Sequence, residues 1–272
     1  MKIKKYGLLI LLLLLITNVT ACASKKTDEE STNLQEETKE NMVGNTKNSE
    51  AVEENVEEDA EAKAAKDCFQ SVLNDFYHNH TFPDGLAIDL EENGDLSENK
   101  FAVTDIDGDG KEELILSYTN GAMAGMTEII YRYDNQKQTV TEELREFPAL
   151  IYYDNGIIIA EWSHNQGLAG DFWPYTLYRY DNEIDTYVNV AMVDAWNKSL
   201  SVTDYDGNPF PEEIDKDGDG IVYYIMRDGE YKLENPVDGA EYEKWFASCI
   251  GDGKKESVPY VSLTEENINA IE

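Results

Sequence analysis

One six-residue pattern returns along this chain at a fixed interval, and it constrains the fold more than any other feature. Residues 130–135 return almost unchanged as 177–182, and 224–229 form a weaker copy, so each copy starts 47 residues after the one before. A glycine-containing loop precedes the first two copies, at 120–125 and 165–170. Because the loop repeats with the pattern, we predict duplicated structural units; the alternative is a favourable strand-and-turn sequence that simply occurs twice.

The region that contains the copies has the composition of antiparallel strands. Tyrosines and β-branched residues alternate with Asp-Asn and Asn-Gly pairs, which are typical of strands and turns. The first unit divides into strands near 100–106, 113–119, 127–134 and 139–146. The second divides into strands near 149–154, 157–163, 174–181 and 186–194. A third unit, 202–233, is degenerate.

These units predict a mostly β fold made of consecutive four-stranded antiparallel units with flanking N- and C-terminal helices. The units could be propeller-blade-like or could form open sheets. A closed propeller normally needs at least four blades, and only two or three units are present. We therefore expect open or stacked sheets.

Helices are predicted on both sides of the strands. Before the strands, one apolar face recurs at helical spacing, and it contains Ala60, Ala64, Cys68, Phe69, Val72, Leu73, Phe76 and Tyr77. After the strands, Asp238 and Glu241 have the spacing of a capping box. The apolar face that follows them contains Tyr242, Trp245, Phe246, Cys249 and Ile250. A last short helix is predicted to start at Thr264.

Two cysteines lie on these helical faces. Cys68 is on the first helix and Cys249 on the penultimate one. A disulfide between them would suit an extracytoplasmic protein. Two buried free thiols are the alternative.

The segment between the first two predicted strands has the composition of a calcium loop. Aspartates occupy positions 1, 3 and 5, a glycine occupies position 6, and a glutamate occupies position 9. Calcium takes six to eight oxygen ligands, and the candidate ligands here are Asp105, Asp107, Asp109, the carbonyl of Lys111, and Glu113. This is not an EF-hand, because position 12 is Leu116 and an apolar strand follows where a helix should begin.

A second loop has the same first half. Its candidate ligands are Asp215, Asp217, Asp219 and the carbonyl of Ile221. Position 9 is Tyr223, so the closing carboxylate is missing from the loop itself. Glu212 or Glu213 could supply it from upstream.

The strand–loop–strand form of residues 105–113 resembles the calcium loops of the FG-GAP and VCBS repeat families, with Glu113 in place of the last aspartate. More loosely, residues 60–265 are similar to VCBS-type lipoproteins of Gram-positive bacteria, a group without an assigned activity. The resemblance implies Ca²⁺ as the bound ion and a location outside the cytoplasm. In such a domain the ion is expected to rigidify a turn rather than to take part in catalysis.

The N-terminus predicts export. A basic segment, Met1–Lys5, runs into the apolar segment Leu8–Ile16, which is too short for a bilayer span but suits a signal peptide. Val19–Cys22 resembles the lipobox of bacterial lipoproteins, in which the cysteine is lipidated. The resemblance implies a signal peptide over 1–22 and a protein anchored by Cys22 to the cell membrane, facing the extracellular side; an ordinary secretory signal is the alternative.

The remaining chain is predicted to consist of a tether and one domain. Residues 23–58 contain scarcely any large apolar residue, which predicts a disordered acidic tether. Residues 59–272 are predicted to form a single globular calcium-loop domain. The formal net charge of −34 excludes nucleic acid as a partner and favours cations or a basic partner.

The sequence does not identify the ligand. Trp162, His164, Asp171 and Trp173 form the one site-like cluster, which suits carbohydrate, peptide or protein contact, or equally a sheet core. No nucleophile motif is present. The first hypothesis is a surface-anchored binding module stabilised by calcium. The alternatives are an extracytoplasmic enzyme acting on glycans or cell wall, and a structural envelope protein.

Overall fold

The computed structural model describes residues 46–88, 94–165 and 167–272, with side chains described from residue 59 onward. The predicted signal peptide, Cys22 and the greater part of the predicted tether lie outside the described residues. Among the described residues, no helix combines the length and the apolar character that a membrane span requires.

The described chain folds into eleven strands with helices at both ends. The elements are α1 (Thr46–Asn79), β1 (Lys100–Thr104), β2 (Glu113–Tyr118), β3 (Thr127–Asp134), β4 (Thr139–Glu146), β5 (Leu150–Tyr153), β6 (Ile157–Glu161), β7 (Tyr175–Asp181), β8 (Thr186–Asn197), β9 (Ile221–Met226), α2 (Gly239–Ile250), β10 (Lys255–Glu256), β11 (Val261–Ser262) and α3 (Glu265–Asn269). The mostly β fold with flanking helices is therefore confirmed.

The strands form two open antiparallel sheets. The first sheet has the order β11-β1-β2-β3-β4, and the second has the order β10-β5-β6-β7-β8-β9. Each predicted four-stranded unit thus lies within one sheet, as consecutive hairpins. No closed barrel or propeller is formed by the part of the chain that the structure describes.

The third predicted unit contributes only one sheet strand. Residues 221–226 form β9, which pairs with β8 at the edge of the second sheet. The preceding segment, 198–220, consists of turns and one isolated bridge between Thr203 and Pro209. Prolines cannot donate a ladder hydrogen bond, and Pro209 and Pro211 keep this segment out of the sheet.

The two copies of the repeated pattern form equivalent hairpins, β3–β4 and β7–β8, and each contains a β-bulge. In the first hairpin Ile130 pairs with Leu144 and Tyr131 with Glu142, which leaves Glu143 without a partner. In the second hairpin the pairing shifts at the same place, and Val190 is the residue left out. Val190 lies 47 residues after Glu143, so the bulge falls at the same position of both copies.

The two sheets pack face to face, with a helix on each outer face. The first sheet has both faces buried: in β2, Leu114 and Leu116 pack with α1, while Ile115 packs toward the second sheet. The layer between the sheets contains Ala102, Ile106, Ile115, Ile130, Leu144, Tyr152, Ile158, Tyr180 and Tyr187. On the outer face of the second sheet, α2 contributes Tyr242, Trp245, Phe246 and Cys249.

A short C-terminal segment borders both sheets. β10 pairs with β5 at one edge of the second sheet, and β11 pairs with β1 at one edge of the first. Between them, the hydroxyl of Tyr260 donates to buried Glu128 at 2.7 Å, as does Tyr152 at 2.6 Å. These bonds join the C-terminal segment, β3 and β5 at one carboxylate.

The helices differ from the prediction in two respects. α1 begins at Thr46, inside the segment assigned to the tether, because glutamate, lysine and alanine are good helix formers even where no apolar face exists. Asp238 is the N-cap residue of α2, but its side chain makes no capping hydrogen bond, so the predicted capping box is wrong. Thr264 does cap α3, accepting from the N–H of Asn267.

Both remaining cysteines are free thiols in this structure. Cys68 is on α1, whose apolar residues pack on the first sheet. Cys249 is on α2 and packs on the second sheet. The disulfide considered from the sequence is not formed, because the two helices cover opposite outer faces.

Candidate functional site

The first aspartate loop, residues 105–113, joins β1 to β2 beside the layer between the sheets. Asp105 accepts hydrogen bonds from the N–H groups of Gly108 and Gly110 at 2.9 and 3.2 Å. Glu113 accepts from the N–H of Ile106 at 3.0 Å, which closes the loop on itself. Both glycines have positive φ values, +82° and +94°, which non-glycine residues rarely adopt.

This loop brings three of the predicted ligands together. One carboxylate oxygen from each of Asp105, Asp107 and Glu113 lies within 4.8 Å of the others. Two oxygens bound to one calcium ion are at most about 5 Å apart, because each Ca–O distance is about 2.3–2.6 Å. The spacing therefore fits one ion. Asp109 is outside this group; it accepts from the N–H of Lys111 at 2.7 Å.

The inner carboxylates of the loop are buried. Asp107 is 8% exposed and Glu113 is 2% exposed. Burial, reinforced by neighbouring carboxylates, raises the pKa of Asp107 to about 6 and the pKa of Glu113 to about 10. Charged carboxylates in such a place need a compensating cation.

A third buried carboxylate, Glu143 at the bulge of β4, belongs to the same neighbourhood. It is 7% exposed, and neither of its oxygens has a hydrogen-bond partner among the described residues. Burial first and the charge of Asp107 next raise the pKa of Glu143 to about 8. Sequence reasoning missed this residue because it lies 30 positions beyond the loop; the contrast with Val190 in the second copy could have indicated it.

A cleft of about 610 Å³ opens beside the first loop. It lies between α1, the first loop and the turn after β3, and its lining includes Asp109, Lys111 and Arg132. The ammonium group of Lys111 is directed to Glu61 at 3.2 Å. The grouped carboxylates of the loop and Glu143 do not line this cleft.

The second aspartate loop repeats the hydrogen bonds of the first. Asp215 accepts from Gly218 and Gly220 at 3.0 and 3.1 Å, as Asp105 does from its own glycines. One oxygen from each of Asp215, Asp217 and Asp219 lies within 4.8 Å of the others. Ile221 donates its N–H to Asp219 at 2.7 Å.

The carboxylate that closes the second loop comes from Asp238. Its Oδ1 accepts from the N–H of Lys216 at 2.9 Å, and Lys216 occupies the loop position that Ile106 occupies in the first loop. Asp238 is buried and makes the hydrogen bond that Glu113 makes in the first loop, but it lies outside the group formed by Asp215, Asp217 and Asp219. Of the upstream candidates, Glu212 is paired with Lys198 and Glu213 is exposed. Sequence reasoning had assigned Asp238 to a helix cap, and no spacing rule connects it to residue 215.

The structure brings the two predicted tryptophans together. The indole N–H of Trp173 donates to the carbonyl of Trp162 at 2.6 Å, and that of Trp162 donates to Thr176 Oγ1 at 3.1 Å. Trp173 is 44% exposed. The other two predicted residues, His164 and Asp171, are exposed, and His164 Nδ1 lies 2.9 Å from Ser163 Oγ.

Two tyrosines that sequence reasoning missed extend this cluster. The ring of Tyr231 lies 5.7 Å from that of Trp162, and its hydroxyl donates to Asp194 at 2.9 Å. Tyr205 is 70% exposed and stands beside Gly167, where its hydroxyl would be 2.9 Å from an added Cβ. We call Trp162, Trp173, Tyr205 and Tyr231 the aromatic surface. No sequence spacing links its members, which come from three separate loops.

Comparison with known protein families, with curated proteins and with solved structures found no match to this chain. The resemblance to VCBS and FG-GAP repeats therefore stays a prediction from the loop residues. The two aspartate loops and the aromatic surface are the features of this structure that bear on function.

Proposed function

We propose that this chain is a surface-anchored lipoprotein whose domain is an interaction module stabilised by calcium. The observation that supports the calcium site is the group of Asp105, Asp107 and Glu113, two of them buried, at a spacing that fits one ion. The anchoring rests on the N-terminal sequence and Cys22 alone. In this proposal the ion rigidifies the loop between β1 and β2, as in other extracellular calcium modules.

Calcium suits the donor set better than other metals. The grouped side chains in both loops are carboxylates, without histidine or cysteine, which favours a hard cation over zinc or copper. Magnesium usually keeps several waters and uses one or two carboxylates, whereas calcium accepts six to eight oxygens. Isothermal titration of the chelator-treated protein with CaCl₂ tests the proposal directly. Absence of any binding at about 1 mM calcium, the weak end of the affinity range of extracellular calcium modules, would contradict it.

The second loop provides a prediction about stoichiometry. We expect wild-type protein to bind two calcium ions and Asp238→Asn to lose the second, because the variant removes the charge of the closing carboxylate. Glu213→Gln is the matched control, since it removes an exposed carboxylate from the same loop region, and it should retain both ions. If both variants bind the same number of calcium ions, a residue other than Asp238 closes the second loop.

The aromatic surface is the proposed ligand-binding face. Contiguous patches of exposed apolar side chains mark contact sites on protein surfaces, and three members of the aromatic surface, Trp173, Tyr205 and Tyr231, are at least 44% exposed. Exposed aromatic rings suit a carbohydrate, whose C–H face stacks on them, and the exposed Asp171, two residues before Trp173, is a carboxylate to which sugar hydroxyls could donate. The negative net charge disfavours acidic glycans.

We expect Trp173→Ala to lower binding to neutral oligosaccharides or to insoluble peptidoglycan by at least about tenfold, as hot-spot aromatics do. The exposed Ile184→Ala variant, on the turn after β7, is the control and should bind like wild type. Pull-down with peptidoglycan and titration with soluble fragments are the measurements. Hydrolysis of the ligand would favour the enzyme hypothesis, and absence of binding to either probe would favour a structural envelope role.

A further inference from the structure

Among the described residues, Glu143 shares its one ionic partner with another acid. Its nearest cation is Arg132, whose Nε lies 3.5 Å from Glu143 Oε1 without a hydrogen bond, and Arg132 is also paired with Asp185 at 3.1 Å. One shared guanidinium group thus faces two acids. Buried ion pairs are favourable only when the geometry is good and the remaining atoms are hydrogen-bonded, and neither condition holds here.

The bulge explains why Glu143 is buried at all. A β-bulge inserts a residue that has no partner and redirects its side chain. Here it places the Glu143 side chain at 1% exposure, near Asp107 and Glu113. Tyr187 on β8 is buried in the same place, and its hydroxyl also lacks a hydrogen-bond partner. Burial first, and then the charges of Asp107 and Glu143, raise the pKa of Tyr187.

The second copy provides an internal comparison. There the bulge residue is Val190, which packs with the apolar residues under α2. The position that corresponds to the first aspartate loop, 47 residues on, is the β5–β6 hairpin, which contains no aspartate loop. A buried acid thus occurs at the bulge only in the copy that carries a loop.

We infer that Glu143 is a further ligand of the cation bound by the first loop, so that the site includes residues from two neighbouring hairpins. The inference rests on the proposed function. Glu143 lies outside the group whose oxygens are within 4.8 Å of one another, so it joins the ion by rotating about its side-chain bonds, away from Arg132. Calcium needs six to eight oxygens, and the loop carboxylates alone do not supply them.

Titration of the full chain with CaCl₂ tests this inference. Glu143→Gln is expected to weaken binding at the first loop by at least tenfold. Glu142→Gln, the neighbour on the exposed side of β4, should change the affinity by less than twofold. Terbium gives a second measurement, because its luminescence lifetimes in H₂O and D₂O count bound waters. The Glu143→Gln variant should hold at least one more water than wild type.

The outcomes separate the two proposals. Wild type that binds no calcium at the first loop overturns the proposed function and this inference together. Wild-type binding with an unchanged affinity and water count in Glu143→Gln overturns this inference alone. Circular dichroism and thermal unfolding in chelator show whether the variant folds. Glu143→Val, which copies Val190, provides a second variant in which the same loss of affinity is expected.

Discussion

Chelation of calcium is expected to lower the melting temperature of the domain by roughly 2–9 °C for each loop that holds an ion. At 5 mM calcium, a site with a dissociation constant of about 0.1–1 mM stabilises the folded state by about 1–2.3 kcal/mol. In a domain of this size each kcal/mol shifts the melting temperature by about 2–4 °C. The ion acts at a place where Asp107 and Glu113 are both buried, each with an oxygen within 4.8 Å of the other, and where carboxylates can ionise only with a compensating cation.

Thermal unfolding by circular dichroism, with 5 mM CaCl₂ or with a chelator, is the measurement. In Glu113→Gln, the difference in melting temperature between calcium and chelator should be smaller by the contribution of the first loop. An equal melting temperature in both buffers would contradict the calcium proposal. Magnesium at the same concentration is the control, and it should restore little of the melting temperature that chelation removes.

The dependence on pH has a definite sign. In the folded protein without calcium, burial raises the pKa of Glu113 to about 10 and that of Glu143 to about 8. Between about pH 4.5 and these values the unfolded chain has released the protons that the folded chain keeps, so stability falls as the pH rises. Calcium replaces those protons, and its stabilising effect should therefore grow from pH 6 to pH 8.

The second large effect is expected from Gly156→Ala, in the turn between β5 and β6. Gly156 has φ +72°, and a Cβ there would lie 3.1 Å from Tyr180 Cβ and 3.4 Å from the carbonyl oxygen of Asp107. The left-handed backbone costs about 1–2 kcal/mol for a non-glycine residue, and overpacking costs about 1–3 kcal/mol more. We expect the free energy of unfolding to fall by about 2–5 kcal/mol, and calcium affinity to fall with it as the Asp107 carbonyl is displaced.

Gly229→Ala is the matched control for this variant. Gly229 has the same φ, +72°, but an added Cβ would have no neighbour within 4 Å. The free energy of unfolding of Gly229→Ala should therefore fall only by the cost of the left-handed backbone, about 1–2 kcal/mol. Urea denaturation of both variants gives the comparison. If the free energy of unfolding falls equally in both variants, the contact between the first loop and the second sheet does not contribute to stability.

The hairpin β3–β4 and the first aspartate loop could be predicted from the sequence, because each depends on residues that are close together along the chain. The bounds of β3 and β4 match the prediction at every end, since alternating side chains and Asp-Asn turns define a hairpin without distant contacts. The first aspartate loop was predictable for the same reason, because its ligands lie within nine residues. Its closure by Glu113 follows from that spacing.

The rest of the site depends on contacts between segments that are distant in the sequence. Asp238 meets Lys216 across 22 residues because α2 begins beside the second loop. Glu143 reaches its place through a bulge, which depends on the pairing of β3 with β4. β10 and β11 are two-residue strands that exist only because remote sheet edges pair with them. None of these has a periodic signal.

The position of β10 and β11 has a consequence for how the molecule assembles. Synthesis proceeds from the N-terminus, so the edges of β5 and β1 that β10 and β11 cover have no partner until residues 255–262 have been made. Open sheet edges are where incomplete chains pair with one another. A polypeptide cut short before residue 255 should therefore aggregate rather than fold, so residues 255–262 decide whether the strands made before them reach their final arrangement.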